Sequence, residues 1–469
     1  MNKFEAFQKW LDANSTYTRA TKSNIVSRLR RADKLIPVID DPVYLFNLSQ
    51  CTEFIELSVS VKSQMRRAVR IYHNYIENRE PNAKDKQRIK AVSLFANVGI
   101  AETYLSEIGI DVVVANEIDP KRVAFYKHLY PETNMIEGDI TSPEIKDQIV
   151  NRSIENGVEL LLATPPCQGM STAGKMDKWD VRNTLICHAI EVVKRIKPKY
   201  VFLENVPQQL TTKIKYNDQI MFIPDYVRAE LESEYHFNDD MKIEASDYGV
   251  PQYRERAIML LVRKDVGISW QFPPKTGVVT LQEAIGTLPS LDPEIYDVPY
   301  EEMLRLLPRF EEKRQQAAAV SPWHYPPKHI YRQVVSMMHT PTGQTAFDNI
   351  EKYQPRKKNG TLVTGFKNTY KRQHWDRPGT TVTMYSREIS SQGNVHPGRL
   401  IGTDEEGHPI YSDARVMSIY ELMIMSSLPR DWNIPTWASD HFIRCVIGEG
   451  IPPLLVKKIM ENLVVNIDE

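Results

Sequence analysis

The sequence predicts an α/β protein in which a mostly parallel sheet follows an all-helical domain. Three observations support this prediction. From Ala91 to about Val262, short apolar runs alternate with glycine or acidic turns and with helical patterns, which is typical of βαβ units. Before residue 79, apolar residues recur at helical spacing. From 263 to 376 the chain is irregular and rich in proline, aromatic and basic residues.

The bulk composition limits the class of protein. A chain of 469 residues exceeds a typical single core, so two or three domains are expected. The proportions of hydrophobic (42%) and charged (25%) residues are those of an ordinary globular protein. Four scattered cysteines and eleven histidines have no ligand spacing, which predicts neither a disulfide framework nor a metal site. No apolar leader or membrane-length apolar run is present, so we expect a cytoplasmic protein.

Residues 1–85 are predicted to form a helical domain. Its two apolar faces consist of Phe4, Phe7, Trp10 and Leu11, and of Met65, Val69, Tyr72 and Ile76. Residues 1–90 hold 17 Lys+Arg against 10 Asp+Glu, a net charge of +7, whereas the whole chain carries −1. This asymmetry favours contact with nucleic-acid phosphates through arginines, namely Arg28, Arg30, Arg31, Arg66, Arg67 and Arg70. A helical cap or an oligomerisation element is the alternative.

A charged stretch, REPNAKDKQRIK, separates this domain from the predicted sheet of residues 86–262. The strand-like runs are, in chain order, AVSLFANVG, VVVANEIDP, MIEGDI, LLLATPP, YVFLENVP and AIMLLV. Helical patterns return at SIYELMIMSSLP and IPPLLVKKIMENLV, so residues 377–469 are expected to come back to the same core.

Open α/β sheets bind ligands at the carboxyl ends of their strands. Three predicted strands of this chain end beside residues that can bind a ligand. Gly99 follows the first strand in a turn, Glu117 ends the second and Asp139 follows the third. Carboxylates at these places suit ribose hydroxyls. A nucleoside cofactor without phosphates is therefore favoured over a dinucleotide.

Reactive side chains follow at the next strand ends. The stretch LLATPPCQGMS places Cys167 after an apolar strand and two prolines that end it. FLENVP supplies Glu204 after another strand, and YGVPQYRERAIMLLV supplies Arg254 and Arg256 before a third. A thiol, a carboxyl group and two guanidinium groups at one sheet edge suit nucleophilic attack on a polarised planar ring.

These motifs resemble those of the DNA (cytosine-5)-methyltransferases of the bacterial restriction-modification type. SLFANVG, NEID and GDI are similar to the cofactor motifs, PPCQGMS to the Pro-Cys loop, ENV to the glutamate motif and QYRER to the Gln-x-Arg-x-Arg motif. DVRNTL, RPGTTVT and GEGIPP match further motifs in the family order, so the resemblance covers 93 to about 456. It implies a Rossmann-like S-adenosylmethionine-dependent methyltransferase sheet and a small irregular target-recognition domain at 263–376.

The resemblance implies a role for each matched residue. Cys167 would attack C6 of a flipped cytosine, and Glu204 would assist at N3. Arg256 would bind O2, Arg254 would support the intermediate and Asn205 would hold the Pro-Cys loop. The residues implied to bind S-adenosyl-L-methionine are Phe95, Gly99, Glu117, Ile118, Asp139, Ile140, Pro166, Leu185 and Glu449. The residues expected to contact DNA are Gln168, Ser171, Gln252, Lys357, Lys358, Lys371 and Arg372.

Sequence choice is expected to come from the target-recognition region. Lys352 to Trp375 holds seven basic and no acidic residues, interleaved with four aromatic residues, Tyr353, Phe366, Tyr370 and Trp375. This composition fits a segment that meets phosphates and base edges, and a merely solvated basic loop is the alternative. The implied partners are double-stranded DNA and, acting separately, a cognate restriction endonuclease.

The chain departs from the family pattern mainly in the cofactor half. Asn97 and Ile100 stand where the family usually has glycines, Ser93 stands at its usual first aspartate, and Glu449 replaces an asparagine. Two alternatives to a DNA enzyme remain, an RNA (cytosine-5)-methyltransferase and a catalytically silent DNA-binding homologue. The long region between QYRER and RPGTT favours DNA, and the intact thiol, glutamate and arginines favour activity.

Overall fold

The computed structural model describes residues 3–15, 17–38, 44–76, 88–166, 184–216 and 219–468. Three predicted site residues, Cys167, Gln168 and Ser171, lie outside the described residues, and so does most of the charged linker. Within the described ranges, no helix has the length and apolar character needed to cross a membrane.

The secondary structure alternates between helices and strands after residue 88. The helices are α1 (Lys3–Asn14), α2 (Arg19–Leu35), α3 (Tyr44–Gln50), α4 (Thr52–Ile55), α5 (Val59–Ile76), α6 (Pro120–Leu129), α7 (Pro143–Glu155), α8 (Leu185–Ile196), α9 (Ile223–Leu231), α10 (Leu281–Ile285), α11 (Tyr300–Leu306), α12 (Phe310–Val320), α13 (Tyr331–Met338), α14 (Ile419–Met425), α15 (Asp440–Glu449) and α16 (Pro453–Asp468). The strands are β1 (Ile89–Leu94), β2 (Ile110–Glu117), β3 (Asn134–Glu137), β4 (Leu160–Ala163), β5 (Tyr200–Asn205), β6 (Lys213–Tyr216), β7 (Gln219–Phe222), β8 (Tyr235–Phe237), β9 (Lys242–Glu244), β10 (Glu255–Arg263), β11 (Glu294–Ile295), β12 (Lys328–His329), β13 (Leu400–Thr403) and β14 (Pro409–Tyr411).

The first compact unit is helical and comprises the chain up to Arg88 together with Pro429–Asn433. Its core joins α1, α2 and α5, where the two predicted apolar faces meet: the rings of Phe7 and Tyr72 pack edge to face with centroids 5.1 Å apart. Within this unit the buried ammonium of Lys62 pairs with Asp431 at 2.9 Å. The helical character predicted for this region is confirmed.

The second unit is built on a sheet with the strand order β3-β2-β1-β4-β5-β10-β8, and β9 also pairs with β10. The pairs from β3 to β5 are parallel, whereas β10 runs antiparallel to β5, β8 and β9. All six predicted runs are strands of this sheet, namely β1, β2, β3, β4, β5 and β10. The predicted α/β class is therefore confirmed.

Helices cover both faces of this sheet. Val114 of β2 packs into a core with residues of α7, α8 and α9, whereas the neighbouring Ala115 packs on the other face with Val123 and Tyr126 of α6. Successive residues of a strand point to opposite faces of the sheet, so residues on both faces must be apolar when helices cover both faces. This burial explains why the strands are continuous apolar runs rather than alternating ones.

The antiparallel direction of β10 determines where the arginines at its start lie. In the β5–β10 pair, Ala257 is opposite Asn205 and Ile258 is opposite Glu204. The beginning of β10 therefore meets the carboxyl end of β5. The arginines that precede and begin β10 are brought to the edge where the parallel strands end.

The predicted target-recognition region has a core of its own, but that core continues past residue 376. Residues of α11 and α13 pack with Ile389, Val395 and Val416 in one cluster. The predicted boundary between 263–376 and 377–469 therefore divides a continuous core. The sequence pattern could not show this, because the later residues carry a motif that suggests a return to the sheet.

The C-terminal helix returns to the second unit, as its helical pattern indicated. Trp270 Nε1 donates to the carbonyl of Ile459 at 3.1 Å, and Lys457 Nζ pairs with Glu107 at 3.1 Å. Tyr104, which follows the first turn after β1, donates its hydroxyl to the carbonyl of Ser427 at 2.8 Å. These contacts attach the C-terminal segment to the region that follows β1, through Tyr104 and Glu107, and to the segment that follows β10, through Trp270.

Candidate functional site

A buried acid–base pair lies at the carboxyl end of β5. Glu204 Oε1 accepts from Arg256 Nε at 2.8 Å, and both side chains are buried. Burial raises the pKa of the Glu204 carboxyl, and the guanidinium groups of Arg256 and Arg254 act against that rise. A carboxyl group in this environment holds a proton to higher pH than an exposed glutamate does.

The next residue of β5 fixes the start of the Pro-Cys loop. Asn205 Nδ2 donates to the carbonyl of Pro165 at 3.1 Å, and its Oδ1 accepts from the backbone of Val206 at 2.8 Å. Thr164 Oγ1 donates to the carbonyl of Phe95 at 3.2 Å, which joins this loop to the turn after β1. The backbone leading into Cys167 is thereby held between β1 and β5, and Pro166 is half-buried there.

Arg254 is a structural anchor as well as a neighbour of Glu204. Its side chain is 2% exposed, and its two terminal nitrogens donate to the carbonyls of Val382 at 2.7 Å and Gly448 at 2.8 Å. These carbonyls belong to the late motifs RPGTTVT and GEGIPP. One guanidinium therefore joins two chain segments that lie far apart in sequence to the residues before β10.

Gln252, a predicted DNA contact, lies in the interior of the protein in this structure. Its side chain is fully buried, its Nε2 donates to the carbonyl of Met425 at 3.2 Å, and its Oε1 accepts from the backbone of Val382 at 3.0 Å. A glutamine in a basic motif resembles a base-reading residue in sequence. Here its amide satisfies buried backbone groups instead.

The turn after β1 has two residues in left-handed backbone conformations where glycine is the usual choice. Asn97 has φ of +50° and Phe95 has φ of +57°, and asparagine tolerates this region better than most residues. Gly99 has φ of +81°, and a Cβ there would collide with the ring of Tyr130. The Gly99 N–H donates to Ala96 and its carbonyl accepts from Tyr130, so its backbone is engaged within the protein and Gly99 shapes the turn.

The carboxyl end of β2 carries a buried carboxylate beside an exposed apolar side chain. Glu117 is 6% exposed and accepts from the backbone N–H groups of Asn97, Ile118 and Asp119 at 2.9 to 3.0 Å. Ile118 is 59% exposed although it is large and apolar. A carboxylate that can reach ribose hydroxyls next to an apolar surface that can cover a planar base fits a nucleoside.

The residues after the third strand, β3, differ in exposure. Asp139 is exposed and accepts from the backbone of Thr141 at 2.9 Å. Ile140, a predicted cofactor contact, is 3% exposed and packs in the sheet core. Leu185 begins α8 and packs partly buried against the same core.

Glu449 belongs to a polar cluster that also contains Asn97 and Arg122. Asn97 Nδ2 donates to Glu449 Oε2 at 3.2 Å, and Arg122 Nη2 lies 2.8 Å from the same oxygen. Burial raises the pKa of Glu449, and Arg122 opposes that rise. The last motif is thus tied to the turn after β1 and to the first turn of α6.

The residues predicted to contact DNA in the recognition region differ in exposure. Lys357 and Lys358 are exposed, and Lys371 is half-buried. Arg372, a predicted DNA contact, is fully buried and donates to the carbonyls of Met337, His396 and Asp413. Among the four aromatic residues of the basic stretch, Phe366 is 81% exposed, whereas Tyr353 and Tyr370 are buried.

Two residues near the site were not predicted from sequence. Arg122 lies in the first turn of α6, and nothing in its sequence neighbourhood signals a partner 327 residues away. Glu244 accepts from the backbone of Arg254 at 2.6 Å and so positions the Gln-x-Arg-x-Arg segment. The only sequence signal for Glu244 was its place in a short strand just before that motif.

Comparison with known proteins places this geometry in context. The family model described as C-5 cytosine-specific DNA methylase matches residues 89–465. The chain is 40% identical over 385 residues to the Type II methyltransferase M1.HgaI of Avibacterium volantium, covering 81% of this chain and 99% of that protein. It is 26% identical over 390 residues to the Type II methyltransferase M.DdeI of Desulfomicrobium norvegicum, covering 79% of this chain and 88% of that protein.

Solved structures share the fold. The crystal structure of a prophage-encoded DNA modification methyltransferase from Escherichia coli matches with a TM-score of 0.52 and 19% identity, covering 81% of this chain and 100% of that one. The structure of the Entamoeba histolytica methyltransferase EhMeth matches with a TM-score of 0.50 and 14% identity, covering 82% and 100%. At these identities the likeness concerns the fold alone.

Proposed function

The chain belongs to the C-5 cytosine-specific DNA methylase family, and from this we propose that it transfers a methyl group from S-adenosyl-L-methionine to C5 of cytosine within a specific double-stranded DNA sequence. The observation that carries the proposal is the buried Glu204–Arg256 pair at the carboxyl end of β5. The pair lies beside the loop that leads into Cys167. Asn205 holds that loop through the carbonyl of Pro165. A thiol, a carboxyl group and a guanidinium are the groups that activation of a cytosine ring requires.

In the proposed reaction, Cys167 acts as the nucleophile. Its thiolate forms a bond to C6 of cytosine while the Glu204 carboxyl shares a proton with N3, which makes C5 nucleophilic. The raised pKa of Glu204 suits this proton donation. When bound, S-adenosyl-L-methionine would supply the methyl group to C5 and would leave as S-adenosyl-L-homocysteine. A base would then remove the C5 proton, the proton on N3 would return to Glu204, and the Cys167–C6 bond would break to restore the aromatic ring and the thiolate.

Arg256 and Arg254 have different roles in this proposal. Arg256 presents its guanidinium beside Glu204 and is the residue proposed to bind the cytosine O2. Arg254 holds the two late motifs against the site through Val382 and Gly448 and adds positive charge near Glu204. Because a stacked base cannot reach buried groups, the cytosine is proposed to be flipped out of the duplex.

The cofactor end of the site fits an adenosyl group. Glu117 would hold the ribose hydroxyls and Ile118 would cover the adenine, and Phe95, Pro166 and Leu185 are proposed to complete the site. When bound, S-adenosyl-L-methionine supplies an activated methyl group on a sulfonium centre. The protein's task is to hold the nucleoside so that this methyl group faces the cytosine.

Sequence choice is proposed to come from the exposed part of the recognition region. Lys357 and Lys358 provide positive charge, and Phe366 provides an exposed aromatic surface. Since the 40% identical relative is a Type II methyltransferase, we propose that this enzyme protects DNA against a separate cognate restriction endonuclease.

The helical unit is proposed to hold DNA beside the target. It lies outside the family match, which begins at residue 89. The sequence of α5, VSVKSQMRRAVRIYHNYI, contains four basic and no acidic residues. Arg31 of α2 and Arg67 and Arg70 of α5 are exposed, and Arg28 Nε donates to Gln64 across the α2–α5 pair at 3.0 Å. An exposed cationic surface on a DNA-modifying enzyme suits duplex phosphates.

Covalent trapping tests the proposed function. A duplex with 5-fluorocytosine at the target is expected to form a denaturation-resistant adduct, because fluorine cannot leave as a cation to release the thiol. Cys167→Ser should form no adduct and transfer no methyl group, yet bind duplex DNA as the unsubstituted chain does. Bisulfite sequencing of a plasmid from expressing cells identifies the methylated cytosine. Absence of both methylation and adduct would favour the silent homologue, and methylation of RNA alone would favour the RNA enzyme.

A further inference from the structure

A two-stranded ribbon follows the strand that carries Glu204. Its strands, β6 and β7, pair antiparallel and form a small sheet of their own. The chain reaches the ribbon from the end of β5 through a short 3₁₀ helix, Pro207–Thr211. None of the ribbon's residues takes part in the reaction proposed above.

The ribbon belongs to the catalytic edge of the central sheet. β5 ends at this edge with Glu204 and Asn205. After the ribbon, α9 carries the chain to the opposite edge, where β8 begins with Tyr235 opposite Arg263 at the end of β10. The Ile223 N–H, at the start of α9, donates to the Thr212 carbonyl at 3.0 Å, so the two ends of the ribbon meet. The ribbon therefore projects from the side of the sheet where the target base is proposed to bind.

One face of the ribbon packs on the core of the second unit. Ile214 is 2% exposed, and Met221, directly opposite it, packs partly buried against the same core. A two-stranded ribbon is only marginally stable by itself in water. The packing of Ile214 and Met221 therefore fixes the ribbon and holds its other face outward.

The outward face carries two cations and two large apolar side chains. Lys213 is directly opposite Phe222, and Lys215 is directly opposite Ile220. Both lysines are exposed, as are Ile220 (57%) and Phe222 (39%). The Lys213 ammonium lies 4.9 Å from the centroid of the Phe222 ring. The acidic residue of this stretch, Asp218, falls between the two strands, outside the described residues.

We propose that this face of the ribbon binds the DNA duplex beside the target cytosine. This inference rests on the proposed function in one respect, that the substrate is double-stranded DNA. Lys213 and Lys215 bind phosphate oxygens through their ammonium groups. Ile220 and Phe222 cover the apolar sides of the deoxyribose rings between those phosphates. Such contacts position the duplex and do not read its sequence.

The size of the face favours DNA over a protein partner. A stable protein interface buries about 800 Å² on each partner. Four side chains offer less than this, because even a large aromatic residue buries only about 150 to 250 Å². A phosphate contact, by comparison, requires only one cation, and the face presents two.

The distance from the catalytic strand limits which part of the duplex the ribbon meets. A 3₁₀ helix rises about 2 Å per residue and extended chain about 3.5 Å, so Lys213 lies within about 25 Å of Asn205. Successive base pairs are about 3.4 Å apart. The ribbon therefore meets phosphates within about seven base pairs of the target.

The test measures binding of a duplex that contains the methylated sequence, by fluorescence anisotropy across a salt series. The double variant Lys213→Gln, Lys215→Gln should reduce the salt slope by about 1.8, which is about 0.9 for each lost phosphate contact. Phe222→Ala should weaken binding by a similar factor at every salt concentration, because its ring carries no charge. Lys127→Gln is the matched control, because Lys127 is exposed in the last turn of α6, and it should leave the slope unchanged.

Single uncharged methylphosphonates in the duplex then locate the contact. Those that weaken binding of the unsubstituted chain but not of the double variant should lie within about seven base pairs of the target. An unchanged salt slope in the double variant, or the same methylphosphonate profile as the unsubstituted chain, would overturn the inference. So would a changed oligomeric state with unchanged DNA binding, which would show that the ribbon joins copies of the chain. A chain that binds DNA through the ribbon but transfers no methyl group would overturn the proposed function and leave this inference standing.

Discussion

The Nε atom of Arg256 lies 2.8 Å from Oε1 of Glu204, with both side chains buried at the carboxyl end of β5. The two residues are 52 positions apart in sequence. They meet because β10 is antiparallel to β5, which sets Ile258 opposite Glu204 and turns the start of β10 toward the site. The positive charge of Arg256 opposes the rise in the pKa of Glu204 that burial causes.

Arg256→Gln is expected to raise the pKa of Glu204 further. Burial already raises this pKa, and the positive charge of Arg256 lowers it, so removing that charge leaves burial less opposed. The carboxyl group should then stay protonated to higher pH than in the unsubstituted chain. Isotope-edited infrared titration of the carboxyl stretch measures this, and Arg263→Gln at the other end of β10 is the control. A downward shift would contradict the prediction.

Arg254→Met is expected to lower the free energy of unfolding of the second unit by roughly 2 to 4 kcal/mol, the scale of losing buried charge-assisted hydrogen bonds. The carbonyls of Val382 and Gly448 would be left without their donor. Arg256→Met should lower the free energy of unfolding less, because Glu204 can take up a proton when its partner is removed. Urea unfolding followed by tryptophan fluorescence compares the two variants, and equal losses would show that Arg254 is not the anchor.

Glu117→Ala is expected to weaken S-adenosyl-L-methionine by about 1 to 3 kcal/mol, the scale of a charge-assisted hydrogen bond. Asp139→Ala is expected to weaken binding within the same range. Its loss of binding free energy should be the smaller of the two, because Asp139 is exposed and Glu117 is buried. Calorimetry gives both dissociation constants. If neither changes, the nucleoside binds elsewhere.

The pair Lys357→Gln and Lys358→Gln is expected to weaken DNA binding and to reduce its salt dependence, because both ammonium groups are exposed. Arg372→Gln should instead destabilise the recognition region, because its guanidinium donates to three buried carbonyls. Fluorescence anisotropy across a salt series and thermal unfolding separate these effects. A lower salt slope in Arg372→Gln without loss of stability would show instead that Arg372 contacts DNA.

Deleting residues 1–85 is expected to weaken DNA binding and to flatten its salt dependence while the methylated sequence stays the same. The triple variant Arg31→Gln, Arg67→Gln and Arg70→Gln should do so in the full chain, each lost phosphate contact lowering the slope by about 0.9. Lys9→Gln, on α1, serves as the control. An unchanged salt slope together with a changed oligomeric state would show that the helical unit binds protein.

Much of the architecture followed from local patterns in the sequence. The runs that became β1, β2, β4, β5 and β10 are continuous and apolar, and the turns between strands and helices carry glycine, proline or acidic residues. Such signals act over a few residues, so they can be recognised without knowledge of the rest of the chain. The residue types at the strand ends also pointed to a thiol, a carboxylate and guanidinium groups at one edge.

Local patterns were thus sufficient to predict the α/β class, the order of the strands along the chain and the chemistry available at their ends. Which polar residues face a ligand and which lie in the interior depends instead on the packing of the folded chain. Gln252 and Arg372 look like DNA contacts in sequence, yet both are fully buried and bonded to backbone. The pairing of Arg122 with Glu449 was equally invisible. Burial and long-range pairing depend on how distant segments pack, and local spacing carries no information about that packing.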